Sequence, residues 1–178
     1  MFDIKEYIIE VSKLRKGDNT FEFNADKQLF EFFECNDADD VKAIVKVNAL
    51  KHERFIEFSF HFEGTIIVEC SRCLAPVTLR INKNTRLYVK IGHSDDKHGI
   101  EEVDINEWLI DENENEIDLS RYVYEELRVE IPIAPVHKKK SDCDAEMLNK
   151  LSQINEESSI NKEEIDPRWE KLKSLIKE

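Results

Sequence analysis

Glycine is scarce: four in 178 residues, with no G-x-x-x-x-G-K or G-x-G-x-x-G run to cradle a phosphate. The H-E-x-x-H signature of metal hydrolases and the G-x-S-x-G nucleophile elbow are also missing. Carboxylates are plentiful, but an acidic loop supplies them without implying acid–base chemistry. The sequence therefore offers no catalytic set, and the expectation is a protein that is not an enzyme. Long apolar runs are absent too, none nearing the ~18 residues that span a bilayer. The opening "MFDIKEYIIEVSKL" has an acid at Asp3 and builds no secretory apolar core. Cysteines number four, without even spacing, which excludes a disulfide framework and fits a reducing compartment. The expectation is a cytoplasmic protein with no membrane partner. Cations are outnumbered 39 to 26, and a net charge of −13 argues against coating nucleic acid, DNA included.

What is present is unevenly spread. Ten phenylalanines gather mainly at Phe21–Phe33 and Phe55–Phe62, enough aromatic bulk for a sheet core. From Cys70 to Ile91 there are five basic residues and no acid, whereas Gly92–Ser120 holds eleven acids against Lys97 alone. Ile4–Leu14 reads as a strand closing at a turn over Lys16–Asn19, and "TFEFN" as a second strand. Leu29, Phe32 and Phe33 fit a short helix, after which Cys35 reads as a half-buried thiol without a task. From Val41 the period becomes two. Val41, Val45 and Val47 share one face, as do Ile56, Phe58, Phe60 and Phe62 on the next strand. Glu63-Gly64 reads as a turn before Ile66, Val68 and Cys70. Val77, Leu79, Ile81, Leu87, Val89 and Ile91 then continue the pattern, with a bend or bulge expected near Asn82–Asn84.

Past the acidic stretch, whose apolar island Ile105, Trp108, Leu109 and Ile110 should dock, Leu119, Val123, Leu127 and Ile131 recur every fourth residue. That spacing predicts a helix capped by Asp118 or Ser120 and stopped by Pro132. Met147, Leu148, Leu151 and Ile154 predict a short helix. The fold class is α+β: an antiparallel β-meander or partly closed barrel with a C-x-x-C knuckle, plus a few C-terminal helices. Residues 1–154 are read as one domain, 155–166 as a polar linker, and 167–178 as an amphipathic helix opened by Asp166-Pro167.

Cys70 and Cys73 bracket a tight turn between strands, the geometry of a metal knuckle. A redox pair would instead open a helix in a βαβ setting, and two thiols at a sheet edge can simply pack. Metal, redox and packing readings all stay open at this point. A closed zinc site wants four ligands, and His137 with Cys143, in an extended proline-preceded segment, completes the most economical set: Cys70, Cys73, His137 and Cys143. His52 and His61 lie in strand patterns, His93 and His98 in the acidic loop. Alternation also places Arg80, Arg86 and Lys90 on the face away from the core with Tyr88 among them, a stripe that by itself reads as a solvated face. Lys138-Lys139-Lys140 forms a second basic cluster.

"CSRCLAPV", then "IDLSRYVYEELRVEIPIAPVH" and a following cysteine, resembles the bacterial YceD family, also called DUF177. The family's C-x-R-C-L-x-P falls on Cys70, Arg72, Cys73, Leu74 and Pro76, its D-L element on Asp118 and Leu119, and its P-x-x-P-x-H on Pro132, Pro135 and His137. Many members carry more cysteines after the proline motif, where this chain has only His137 and Cys143. The resemblance implies a role in accumulation of large-subunit (23S) ribosomal RNA, with that RNA or a pre-ribosomal particle as partner. It gives Arg72, Arg80, Arg86, Tyr88, Lys90 and Lys138–Lys140 an RNA to bind. The acidic stretch allows a different partner, a basic ribosomal protein bound without RNA contact.

Overall fold

The computed structural model describes residues 3–92, 100–104 and 106–160, and its first strand is much shorter than the Ile4–Leu14 span the sequence suggests. Strand β1 (Ile8–Glu10) lies between two 3-10 turns, Ile4–Tyr7 and Val11–Lys13. Its length is set by its partner, since the matching strand in its two-stranded sheet offers only three residues, Glu116–Asp118. Strand β2 (Gly17–Asp26) begins inside the expected turn, and Gly17 takes a φ of 98° there that favours glycine. Helix α1 (Lys27–Phe32) follows as expected, capped by the Asp26 carboxylate, which accepts the Gln28 N–H at 2.9 Å.

Strands β3 (Asp40–Lys51), β4 (Phe55–Glu69) and β5 (Pro76–Ile91) form the centre of a six-stranded sheet. Their alternation in sequence becomes alternation in burial: Val45, Val47, Phe58, Phe60, Phe62, Leu87 and Val89 are all at or below 2% exposure. Two expectations fail here. No turn interrupts β4 at Glu63-Gly64, because the even positions keep facing the core from Ile56 through Val68. Gly64 answers a different need: it pairs with Ala43, and a Cβ on it would come within 2.2 Å of the Lys42 carbonyl oxygen. Nor does β5 bulge at Asn82–Asn84, since its register with β4 runs unshifted from Phe55↔Lys90 to Glu69↔Pro76.

Strands β6 (Ile100–Asp104) and β7 (Glu107–Ile110) extend the sheet to the order β2-β3-β4-β5-β7-β6. The apolar island docks through buried Trp108 and Ile110, but β7 runs parallel to β5, so the sheet is mixed. Strand β8 (Glu116–Asp118) then returns to β1. Helix α2 (Ser120–Arg128) lays buried Tyr122, Val123 and Leu127 on the sheet. The Tyr122 ring lies 4.7 Å from Phe60, and its hydroxyl donates to Thr85 Oγ1 at 3.2 Å. Lys83 falls on the core-facing side of β5 and is answered by Glu126 (2.9 Å) and Glu130 (3.1 Å) from this helix and the turn after it. The Asp118 carboxylate accepts the Ser120 N–H at 2.8 Å, and regular helix ends four residues before Pro132.

These elements, with the chain as far as Pro135, make one compact unit; Cys70–Ala75 and the chain from Val136 onward make a second. In the second unit helix α3 (Ala145–Ile160) follows a 3-10 turn, Lys140–Asp142. Its last six residues fall where the sequence suggests a polar linker. The expected helix at 167–178, and His93 and His98, lie outside the described residues.

Candidate metal centre

The site is built from two short stretches of the second unit. In the first, Cys70–Ala75, the Cys70 N–H donates to Ala75 O at 2.9 Å and the Leu74 N–H to Cys70 O at 2.8 Å, closing a tight turn. Leu74 takes a φ of 61°, in the left-handed region usually reserved for glycine, and is 58% exposed. The Arg72 N–H reaches back to Cys70 Sγ at 3.4 Å. Strand β5 follows the turn, so Cys70 and Cys73 do not open a helix as a redox pair would.

The second stretch runs from Val136 to Cys143. His137 Nδ1 lies 3.6 Å from Cys73 Sγ and 3.7 Å from Cys143 Sγ. Cys143 is set by the 3-10 turn before it, through its N–H to Lys140 O at 3.3 Å. Asp144 then caps α3, accepting the Met147 N–H at 2.8 Å. All four ligand atoms, from Cys70, Cys73, His137 and Cys143, lie within 4.8 Å of one another, with the three thiols buried and the imidazole half-buried. A tetrahedral zinc with Zn–S bonds near 2.3 Å needs ligand atoms about 3.8 Å apart, so the residues fit the ion with small adjustments.

Electrostatics agree with the donor set. Burial opposes charge on Cys70, yet backbone N–H donors from Arg72, His137 and Cys73, together with the Cys73 thiol, bring it down to about 6. Burial and the neighbouring Cys73 push the Cys143 thiol up, while Arg72 pulls the other way. Three thiolates around a divalent ion leave one negative charge in excess, and the Arg72 guanidinium, 3.7 Å from Cys143 Sγ, is placed to balance it.

The remaining predicted residues divide between the units. Arg72, Lys138 and Lys140 line one cavity of the second unit, and Lys139 is exposed beside them in sequence. Leu148, Leu151 and Ser152 line that cavity as well, a role the sequence signalled only as an apolar i, i+3 pair. On β5, Arg80, Arg86 and Lys90 are exposed on one face with half-buried Tyr88. Two of those cations meet acids, Arg86 with Glu57 at 3.5 Å and Lys90 with Glu107 at 2.7 Å. His61 Nδ1 lies 2.9 Å from Asn84 Oδ1, and His52 stacks on Phe55.

With this geometry in place, comparison with known proteins gives a direct result. The profile of the family described as large ribosomal RNA subunit accumulation protein YceD matches residues 58–176, a span holding all four of the clustered Cys and His residues. The chain belongs to the YceD family. A YceD-family relative, described as uncharacterized protein YlbN of Bacillus subtilis (strain 168), is 28% identical over 165 residues, which covers 89% of this chain and 90% of the relative. No solved structure matches. YceD membership supports a role in ribosomal RNA biogenesis. No helix among the described residues is long and apolar enough to cross a membrane.

Proposed function

We propose that this YceD-family chain is a non-enzymatic cytoplasmic factor that supports large-subunit ribosomal RNA accumulation by binding the RNA or its precursor particle. A structural zinc fastens the His137–Cys143 stretch to the Cys70–Cys73 turn. The carrying observation is the convergence of four soft ligand atoms within 4.8 Å. An S₃N set suits zinc, and four protein ligands leave no open position for a reacting water, which speaks for structure over catalysis. The same convergence sets Arg72 and Lys138–Lys140 within three residues of a ligand in sequence, giving an acidic chain a local supply of cations. Sedimentation through a density gradient tests the reading. The tagged chain should travel with large-subunit precursors, and its depletion should lower large-subunit RNA relative to small-subunit RNA. A chain that stays at the top of the gradient, with the RNA ratio unchanged on depletion, overturns it. Capture of a basic ribosomal protein in RNase-treated extract, with no RNA bound by the pure chain, would replace RNA binding with the adaptor role.

A further inference from the structure

A cavity of about 560 Å³ opens in the unit that carries the metal centre, lined by Arg72, Lys138, Lys140, Leu148, Leu151 and Ser152. Three of the six are cations and none is an acid, in a chain of net charge −13. Leu151 remains 39% exposed. Every cation is tied closely to a ligand. Arg72 lies inside the cysteine turn, Lys138 follows His137, and Lys140 opens the 3-10 turn whose carbonyl holds the Cys143 N–H. Thiol contacts of 3.6 Å (Cys73 to His137) and 3.7 Å (Arg72 to Cys143) join the two stretches, where a bound zinc would substitute bonds of about 2.3 Å to each sulfur.

We infer that this cavity is a metal-assembled site for the backbone of single-stranded RNA, an inference that rests on the RNA reading above. Arg72, Lys138 and Lys140 take the phosphodiester oxygens, the guanidinium as a fork and the ammonium groups as point charges. The apolar side chains of Leu148 and Leu151 receive an unstacked base or ribose. The volume falls within the range of small-ligand sites, so a nucleotide enters it. A duplex, whose backbone is convex and stiff, meets such a recess only at the rim. Losing the ion separates Arg72 from the two lysines, so RNA binding and metal binding are linked.

The test uses the full zinc-loaded chain and a fluorescent uridine decamer, with anisotropy at low salt and methyl NMR of the leucines as readouts. The decamer should bind and shift the Leu148 and Leu151 methyl signals. Lys138→Glu with Lys140→Glu should weaken it at least tenfold, and zinc removal by chelation should do the same, reversibly on adding zinc back. Arg80→Glu with Arg86→Glu tests the β5 face on its own and should weaken binding less than the lysine variant does. Circular dichroism confirms that each variant is folded. A folded lysine variant that binds like the parent overturns the site, as does a zinc-stripped chain that binds unchanged. If the strand variant alone loses RNA, the cavity inference fails while the RNA reading stands; if the parent binds no RNA and no precursor particle, both fail. Displacement of the decamer by equimolar inorganic phosphate would make this a free-anion site, and tighter binding of a Glu- and Leu-rich peptide would make it a protein-docking site. Either result overturns the RNA assignment.

Discussion

At Cys70, burial opposes a charge, but three N–H donors outweigh it and draw the thiol down to about 6. A depressed value of about 6, against an ordinary value near 8.5, fixes the sign of its pH effect. In the metal-free chain its contribution is full above the ordinary value and is lost as pH falls through about 6. Thermal unfolding of the second unit in chelator should therefore shift downward between pH 9 and pH 6, and Cys70→Ser should flatten that dependence. The same variant should release the metal: elemental analysis of the reduced parent should give about one zinc per chain, and of the variant close to none. Leu74 presents a separate case. Its left-handed backbone carries strain of about 1–2 kcal/mol, of which glycine would return part after its own entropy cost of about 0.5–1 kcal/mol. Leu74→Gly should thus stabilise the turn by up to ~1 kcal/mol, read by chemical denaturation, with zinc retained. Cys35, read from sequence as a thiol without a task, has the Arg128 guanidinium 3.1 Å from its sulfur, a pairing across 93 residues that no local pattern shows.

At the scale of elements, the strands were legible because burial repeats every second residue, and the same rule exposes where the reading slipped. Gly64 looks like a turn in sequence; in the sheet it pairs with Ala43, and a Cβ there would run into the β3 backbone. Gly64→Ala should destabilise β3–β4 pairing by more than the usual strand preference of alanine, because the obstructing atom is a carbonyl that cannot swing away. Loss of amide protection on Lys42, Ala43 and their β4 partners would be the signature, and unchanged protection would count against it. Phe60→Ala, at the contact between sheet and α2, should cost about 3–5 kcal/mol in denaturant unfolding. The parallel pairing of β7 was not legible, since a short apolar island declares that it docks but not in which direction. Helix α3 outran its expected end because Asn155–Ile160 contains neither glycine nor proline to stop it. The convergence of Cys70, Cys73, His137 and Cys143, by contrast, was readable, since two thiols bracket a tight turn and one later stretch offers both a histidine and a cysteine.

For the whole molecule, charge sets the measurement. A chain of net charge −13 gains nothing from its mean field toward RNA, so the proposed affinity rests on the few phosphates neutralised locally. Three cations on a single strand predict a logarithmic salt slope of about −2. A slope steeper than about −5 would demand a wider surface, one that includes the β5 face. The two units should also respond separately to chelation. Far-ultraviolet dichroism should keep its sheet signal while amide protection disappears across Val136–Cys143; collapse of both together would show that the metal holds the entire fold.

The four proposed ligands also impose an order in time. Arg72 and Cys143 are 71 residues apart, so on a ribosome adding about 5–20 residues per second the first two thiols emerge several seconds before the last. During that interval the nascent chain offers a two-thiol half-site that can hold an ion only loosely. Capture of the proposed metal can become firm only after Cys143 has cleared the exit tunnel, and whatever depends on the finished centre can begin only once nearly all of the described chain has been made.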